Sequence, residues 1–333
     1  MNSSVKNYDV VILTYKPNDI FVDSINMLMG QVIAPNMIYI CNTCEDDFCK
    51  NISNKVLLDE TLSGGKNGQF KDRIKLVHIA KNEFDHGKTR NEMLKLSNSN
   101  YVLFLTDDAL PYDEHLSENL ISGFGEYSLP GARVAVTYAR QIARETASLK
   151  EKLIREYNYP SHDVIKEKSK EKVLGIKNYF CSNVCAMYDR EIFNALGGFE
   201  ENIILNEDTF YSYHAIQNGY RIVYKANAKV YHSHNYTYKE QFNRNFDIGV
   251  SQNEQCEIFN RVPSEKEGLK LIKYVVSRLI KGMHFILVID FLIECLYRYF
   301  GYNFGKRFDK LDKDTCVKYA SNKQYFIRKG DYE

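Results

Sequence analysis

Tyr101 to Pro111 reads YVLFLTDDALP, and the fold is read outward from it. Five largely apolar residues, Tyr101 to Leu105, have the length and bulk of a buried strand; Thr106, Asp107 and Asp108 follow before Pro111 ends the run. Two carboxylates thus stand at a strand's carboxyl end. In open α/β sheets that edge is where ligands bind, and adjacent aspartates there offer hard oxygen ligands to Mg2+ or Mn2+. Asp is also a common turn former, so the pair alone suits a solvated turn equally well. The surrounding chain decides.

Upstream, Tyr8 to Thr14 (YDVVILT) reads as a strand, and Asn18 is placed to cap a helix whose Phe21, Ile25, Leu28 and Met29 share one face. Met37 to Ile40 is the next strand, followed by a polar CNTCEDD turn; Ile74 to Ile79 leads through a loop into a helix from about Lys88 to Leu96. Strands alternating with helices predict an α/β fold with a mostly parallel sheet and right-handed crossovers. No G-x-G-x-x-G or G-x-x-x-x-G-K-[ST] occurs, which argues against a dinucleotide site or a P-loop. Downstream, ARETASLKEKLIREYNYP reads as a helix and HDVIKEKSKEK as a mobile surface loop, neither with a strand signature; Lys166 to Lys172 is a solvated face or, alternatively, a lid. FCSNVCAMY is strand-like, DREIFNAL helical, GGF a turn, and a helix crosses Asp208 to Gln217 with Gly219 as its stop.

With 333 residues, 44% of them hydrophobic, the chain can fill the core of a large domain plus an appendage. Lys+Arg 44 against Asp+Glu 43 leaves a formal charge of +1, so no overall basic field points to nucleic acid. Tyr is abundant, at 25, and Trp absent; tyrosines suit sugar or base contacts as well as half-buried packing. The opening MNSSVKNYD is polar with no apolar export segment, so a cytoplasmic location is expected and the 8 cysteines are expected as thiols. Cys41, Cys44 and Cys49 with Cys181 and Cys185 lack paired zinc-site spacing.

From about Glu265 the pattern changes. Lys270, Lys273, Ser277 and Lys281 fall on one helical stripe, with Leu271, Ile272, Val275, Val276 and Leu279 elsewhere on the wheel. HFILVIDFLIECLYRYF is very apolar, but Asp290, Glu294 and Arg298 interrupt it every four residues, which argues against a membrane span. Residues 1–262 are therefore read as one large domain and 263–333 as a helical region that rests on a membrane surface or packs against that domain or a twin subunit in a homodimer.

The chain resembles a family-2, GT-A-type glycosyltransferase, most of all bacterial rhamnosyltransferases. The resemblance rests on collinear motifs over most of the chain: VILTYKP, FDHGKTRN (Phe84 to Asn91), LTDDALP, YARQ (Tyr138 to Gln141), YNYP (Tyr157 to Pro160), GGF, NEDTF (Asn206 to Phe210), HSHNYT (His232 to Thr237), RNFDIGV (Arg244 to Val250) and FGYNFGKRF. It implies an inverting transfer of L-rhamnose from dTDP-β-L-rhamnose to a glycan or lipid-linked saccharide, assisted by Mn2+ or Mg2+, at the inner membrane face if the acceptor is lipid-linked. By the resemblance, Asp108 with His232 or His234 holds the metal, and Asp107 lies beside it. Asp208 is the base, with Glu207 orienting it or meeting the acceptor. Thr14 and Tyr15 match the nucleoside positions, and Asp85, His86, Arg90 and Asn91 match a loop near nucleotide and phosphates. The family's Asp-containing turn is replaced by Cys41 and Asn42, and Asn42 is the substitute contact. Arg140 and Gln141 match a motif for sugar or acceptor. Rival readings are the same fold using a UDP-hexose, a silent glycan-binding or scaffold subunit, and nucleotidyl transfer; the intact acids oppose the second and the absent Gly-rich loop the third.

Overall fold

The computed structural model describes residues 7–65 and 68–329. Most of the opening polar segment, on which the cytoplasmic expectation rests, lies outside them. Nine strands among the described residues form one sheet: β1 (Tyr8–Thr14), β2 (Ile38–Thr43), β3 (Ile74–Ile79), β4 (Tyr101–Thr106), β5 (Leu110–Pro111), β6 (Val134–Ile142), β7 (Val164–Lys166), β8 (Cys185–Asp189) and β9 (Arg221–Tyr231). Their order is β3-β2-β1-β4-β8-β6-β9-β5, with β7 also on β9. The first four are parallel, β8 runs antiparallel to β4 and β6, and β6 and β9 are parallel. This is the mostly parallel sheet that the strand–helix alternation predicts and the GT-A-type resemblance implies. β1 is buried along its whole length, because helices cover both faces of a parallel sheet; hence its unbroken Val-Val-Ile-Leu run.

Register sets the site. Thr14 pairs with Asn42 and Leu13 with Thr106, so β1, β2 and β4 end level and their following loops share one edge. The two-residue β5 then pairs Leu110 with Tyr231 antiparallel, which sets Asp108 opposite the residues just after β9. β2 runs on through Cys41, Asn42 and Thr43, where a polar turn is expected, because β1 and β3 pair it on both sides that far. The helix after β3 starts at His86, earlier than expected, because Asp85 Oδ1 caps it by accepting from Gly87 N (3.1 Å) and Lys88 N (2.8 Å).

Two expectations are corrected between Tyr138 and Lys177. Tyr138 to Ile142 completes β6, and the charged HDVIKEKSKEK stretch contains β7, which pairs Ile165 with Val223. Lys166, expected on a solvated face, is 3% exposed, its stem laid over the sheet edge and its amine over Tyr138 and Phe180.

The C-terminal helices Glu265–Lys281 and Phe285–Gly305 pack on the rest of the chain. Val275 and Leu279 are buried with Leu153, Ile154 and Phe291, while Lys270, Lys273, Ser277 and Lys281 face solvent, as the stripe predicts. The helix Phe285–Gly305 crosses the helix Tyr238–Glu254 backbone to backbone: a Cβ on Gly305 would stand 2.0 Å from the Phe246 carbonyl oxygen, and one on Gly249 2.2 Å from that of Tyr302. Its charges turn inward, Glu294 accepting from Lys150 (2.8 Å) and Gln241 (3.1 Å), while Ile286, Ile289, Leu296 and Phe300 stay exposed. Further on, Arg328 reaches back to Asp85 (3.3 Å) and the Phe84 carbonyl. No described helix is long and apolar enough to cross a membrane.

Candidate active site

At the level strand ends, Thr14 Oγ1 donates to Asp107 Oδ2 (2.6 Å), which also accepts from Tyr15 N (3.2 Å). Asp107 thereby ties the end of β4 to the end of β1, and burial pushes its carboxyl up to about 6 against the pull of Thr14. Tyr15 is 47% exposed at this edge, with the amines of Lys16 and Lys81 5.2 and 5.4 Å from its ring centre. Asn42 is fully buried; its Nδ2 meets Cys44 O (3.1 Å) and His78 Nδ1 (2.9 Å), and its Oδ1 has no partner among the described residues.

Asp108 points the other way, toward the segment after β9. Its Oδ2 lies 3.1 Å from His234 Nε2 and 3.4 Å from His232 Nε2, and the two imidazole nitrogens are 3.0 Å apart. The histidines stand just past the strand end rather than within it, in an extended segment that still turns both rings to one side. Burial raises the Asp108 carboxyl less than the two imidazoles lower it, so it is ionised. Burial also brings His232 down to about 4, which leaves it neutral at pH 7. Gln141 Oε1 faces His232 Nδ1 at 2.9 Å, and because Gln141 Nε2 donates to Ser182 Oγ (2.8 Å), that oxygen takes the Nδ1 proton. His232 Nε2 therefore turns its lone pair toward Asp108 and His234. One carboxylate oxygen and two imidazole nitrogens, all within 4.8 Å of one another, fit a divalent cation. No other group of three or more acids, histidines or cysteines converges in this way among the described residues.

Ser182 is followed by Asn183, which joins this group to the second pair of acids. Asn183 N donates to Asp208 Oδ2 (3.0 Å), its Nδ2 donates to Glu207 Oε1 (2.9 Å), and its Oδ1 accepts from Tyr188 (2.7 Å). Both acids start the helix Glu207–Gln217, where N–H groups are free. Glu207 is buried against Arg90 (3.1 Å); burial works against its charge, but Arg90, His86 and Asn183 outweigh it and hold it below the usual range. Asp208 has backbone and hydroxyl donors but no cation within 4 Å among the described residues, and burial, then the neighbouring Glu207 charge, push it up to about 7. A carboxyl near pH 7 with no cation beside it suits proton transfer.

Other motif residues have their polar atoms taken up by the fold. Asp85 caps a helix and meets Arg328; Asn91 clasps Phe199 through its carbonyl (2.9 Å) and its N–H (2.9 Å), with Glu201 at 3.0 Å. Arg90 donates to His86 O (2.8 Å) as well as to Glu207, and His86 lies edge-on to Phe84. Arg140 lines a small cavity beside Lys152 and Glu156 while its neighbour Gln141 serves His232. Asn183, Ser182 and Arg155, which reaches Gln141 Oε1, were not singled out from the sequence; a polar Ser-Asn pair inside the strand-like FCSNVCAMY is the signal they left.

The family model for glycosyl transferase family 2 matches residues 10–197. The chain is 36% identical over 255 residues to the O-antigen chain rhamnosyltransferase WbaN of Salmonella anatum, covering 75% of this chain and 78% of that one. It is 30% identical over 321 residues to the O-antigen chain rhamnosyltransferase RfbN of Salmonella typhimurium, covering 95% of each. Among solved structures, S. aureus TarS 1-349 in complex with UDP-GlcNAc shares the fold at a TM-score of 0.51 and 13% identity, over 82% of this chain and 71% of that one. The mannosyltransferase PcManGT of Pyrobaculum calidifontis, in complex with GDP-Man and Mn2+, shares it at 0.51 and 12%, over 98% and 86%. With a family model across more than half its length and relatives aligned over most of it, the chain belongs to glycosyl transferase family 2.

Proposed function

We propose that this glycosyltransferase moves L-rhamnose from dTDP-β-L-rhamnose, with inversion, to a hydroxyl of a cell-surface polysaccharide or its lipid-linked precursor. The observation that carries the reading is the division of labour at the sheet edge: an Asp108–His232–His234 group fit for a cation, and Asp208 uncompensated beside it in the chain of contacts. The names of the two relatives support rhamnose as the sugar.

In that reaction Asp208 takes the proton of the acceptor hydroxyl as it attacks the sugar carbon. Asn183 and Thr209 hold the Asp208 carboxylate in place, and Arg90 fixes Glu207 so that Asn183 keeps its position. Mn2+ or Mg2+ on Asp108, His232 and His234 would supply positive charge to the departing diphosphate. Asp107 holds Thr14 and Tyr15, and the exposed Tyr15 ring offers a face to the base. Asn42 stands behind this edge, its side chain buried and its Nδ2 bonded to Cys44 O and His78 Nδ1. The exposed apolar residues of Phe285–Gly305, together with the exposed Lys270, Lys273 and Lys281 of the preceding helix, support attachment at the inner membrane face; flotation with anionic vesicles tests it, and a homodimer that leaves vesicles unbound would replace it.

Calorimetric titration with dTDP and UDP, with and without Mn2+, on wild type and Asp108→Ala tests the reading. Binding of dTDP that needs both metal and Asp108 supports it; metal-independent binding, or binding of UDP alone, overturns it.

A further inference from the structure

Next to the start of the helix Glu207–Gln217 the chain forms an open cavity of about 490 Å3, within the range of about 300–1,000 Å3 for small-molecule sites. Asn206 and Thr209, on either side of the two acids, form part of its wall. Tyr138, Tyr157, Phe180 and Tyr224 supply aromatic faces, the surface against which the C–H faces of sugar rings pack. Gly268 and Leu271 close it from the helix Glu265–Lys281, so the C-terminal region completes it.

Two lysines line this cavity and are treated differently. Lys177 is answered: its amine pairs with Glu267 (2.9 Å) and sits 3.8 Å from the Tyr157 ring centre. Lys166 is the more buried of the two, yet it has no carboxylate within 4 Å among the described residues, only the Phe180 carbonyl and the faces of Tyr138 and Phe180. An ammonium carries three N–H donors, and buried donors without acceptors are costly. Burial accordingly lowers the amine to about 7, with Cys181 and Asp208 favouring its charge and Lys177 opposing it.

We infer that this cavity is the acceptor subsite, in which a sugar ring of the acceptor lies against the tyrosine and phenylalanine faces while Lys166 donates to its oxygens. The assignment rests on the reading of Asp208 as the base, since Asn206 and Thr209 put the cavity next to it. The acceptor's chemistry follows: a saccharide presented ring-first, selected in part by the C-terminal helix.

The test uses binding alone. Saturation-transfer NMR is recorded on the full chain with octyl β-D-glucoside, octyl β-D-galactoside and octyl N-acetyl-β-D-glucosaminide, below their micelle concentrations, for wild type, Lys166→Met and Gly268→Trp. A Cβ on Gly268 meets nothing within 4 Å, so a side chain can leave the helix there, and the indole of G268W at this lining position obstructs the cavity and decides the matter even where K166M fails to fold. Ring-proton signals from at least one glycoside in wild type, reduced fivefold or more in both variants, are expected. Signals unchanged in G268W, or absent from wild type with all three glycosides, overturn the subsite; signals lost in G268W but intact in K166M overturn the role of Lys166. No donor is present, so a failed dTDP titration and a failed cavity are read separately.

Discussion

Asp290 and Glu294, on the helix Phe285–Gly305, and Asp107, Asp108 and Asp208, at the sheet edge, are buried or half-buried acids in contrasting company. The helix acids are met by cations: Lys150 reaches both, and Arg298 reaches Glu294 from one turn away. At the sheet edge no Lys or Arg comes within 4 Å of the three carboxylates among the described residues; they are held by hydroxyls, backbone N–H groups and a histidine pair. Glu207 and Asp208 repeat the contrast within two residues, the first paired with Arg90 and the second not. A charge satisfied inside the protein is spent on the fold. One held by dipoles alone keeps its affinity for a proton, a cation or a substrate.

Removing charge from the unanswered set should cost rate and little stability. Asp208→Asn is expected to lower kcat by a factor of about 10²–10⁴, the usual worth of a positioned acid–base group, with a normal melting transition. Retention of more than a tenth of the transfer rate would sink Asp208 as the base. The sign of its pH dependence is fixed by a carboxyl raised to about 7 in the fold from about 3.9 in the unfolded chain. Its contribution to stability is full below about pH 4 and is lost as pH rises through 7, whereas transfer needs the ionised form and rises over the same interval. D208N should lack that fall in stability, and urea midpoints at pH 5 and pH 8 measure it.

Removing charge from the answered set should do the reverse. Glu294→Ala leaves Arg298 without its carboxylate and Lys150 with Asp290 alone, and is expected to cost about 3 kcal/mol, the lower end for breaking a buried pair, with kcat unchanged. Urea denaturation of E294A beside Lys150→Met and the double variant checks it, since a double variant no worse than either single one is the signature of pairing. Gln141→Leu lies between the two classes, removing the acceptor that fixes the His232 proton; Mn2+ affinity should fall by about 10–100-fold while kcat at saturating metal survives. The smallest effect belongs to Arg133, answered by Asp189 and Glu191 but 47% exposed along its side chain. Arg133→Ala should change stability by under about 1 kcal/mol, and a larger loss in thermal denaturation would mean that exposure does not decide what an ion pair contributes.

The parallel half of the sheet was legible because β1 and β4 are continuous apolar runs, whereas β6, β7 and β9 drew no strand reading; the metal-fit group was legible because Asp108 and the His232–His234 pair stand in collinear motifs. What each polar motif residue touches was not, since partners come from far along the chain: Asn91 from Phe199, Arg90 from Glu207, Asp85 from Arg328. Lys166 misled for a physical reason, for a strand of three residues inside a charge run has no period to read, and its burial depends on Tyr138 and Phe180. Asn183 hid in a Ser-Asn pair within an otherwise apolar stretch, although it is the point where both acids are gripped.

Arg328 lies 243 residues after Asp85, the cap of the helix that carries Arg90. Synthesis runs from the other end, so the ribosome releases the whole sheet edge long before the guanidinium that braces this loop has been made. A nonsense codon or a protease nick near residue 320 would leave every residue of the site in the sequence and remove the brace beneath one of them. Lesions that silence this enzyme can therefore map far from its chemistry.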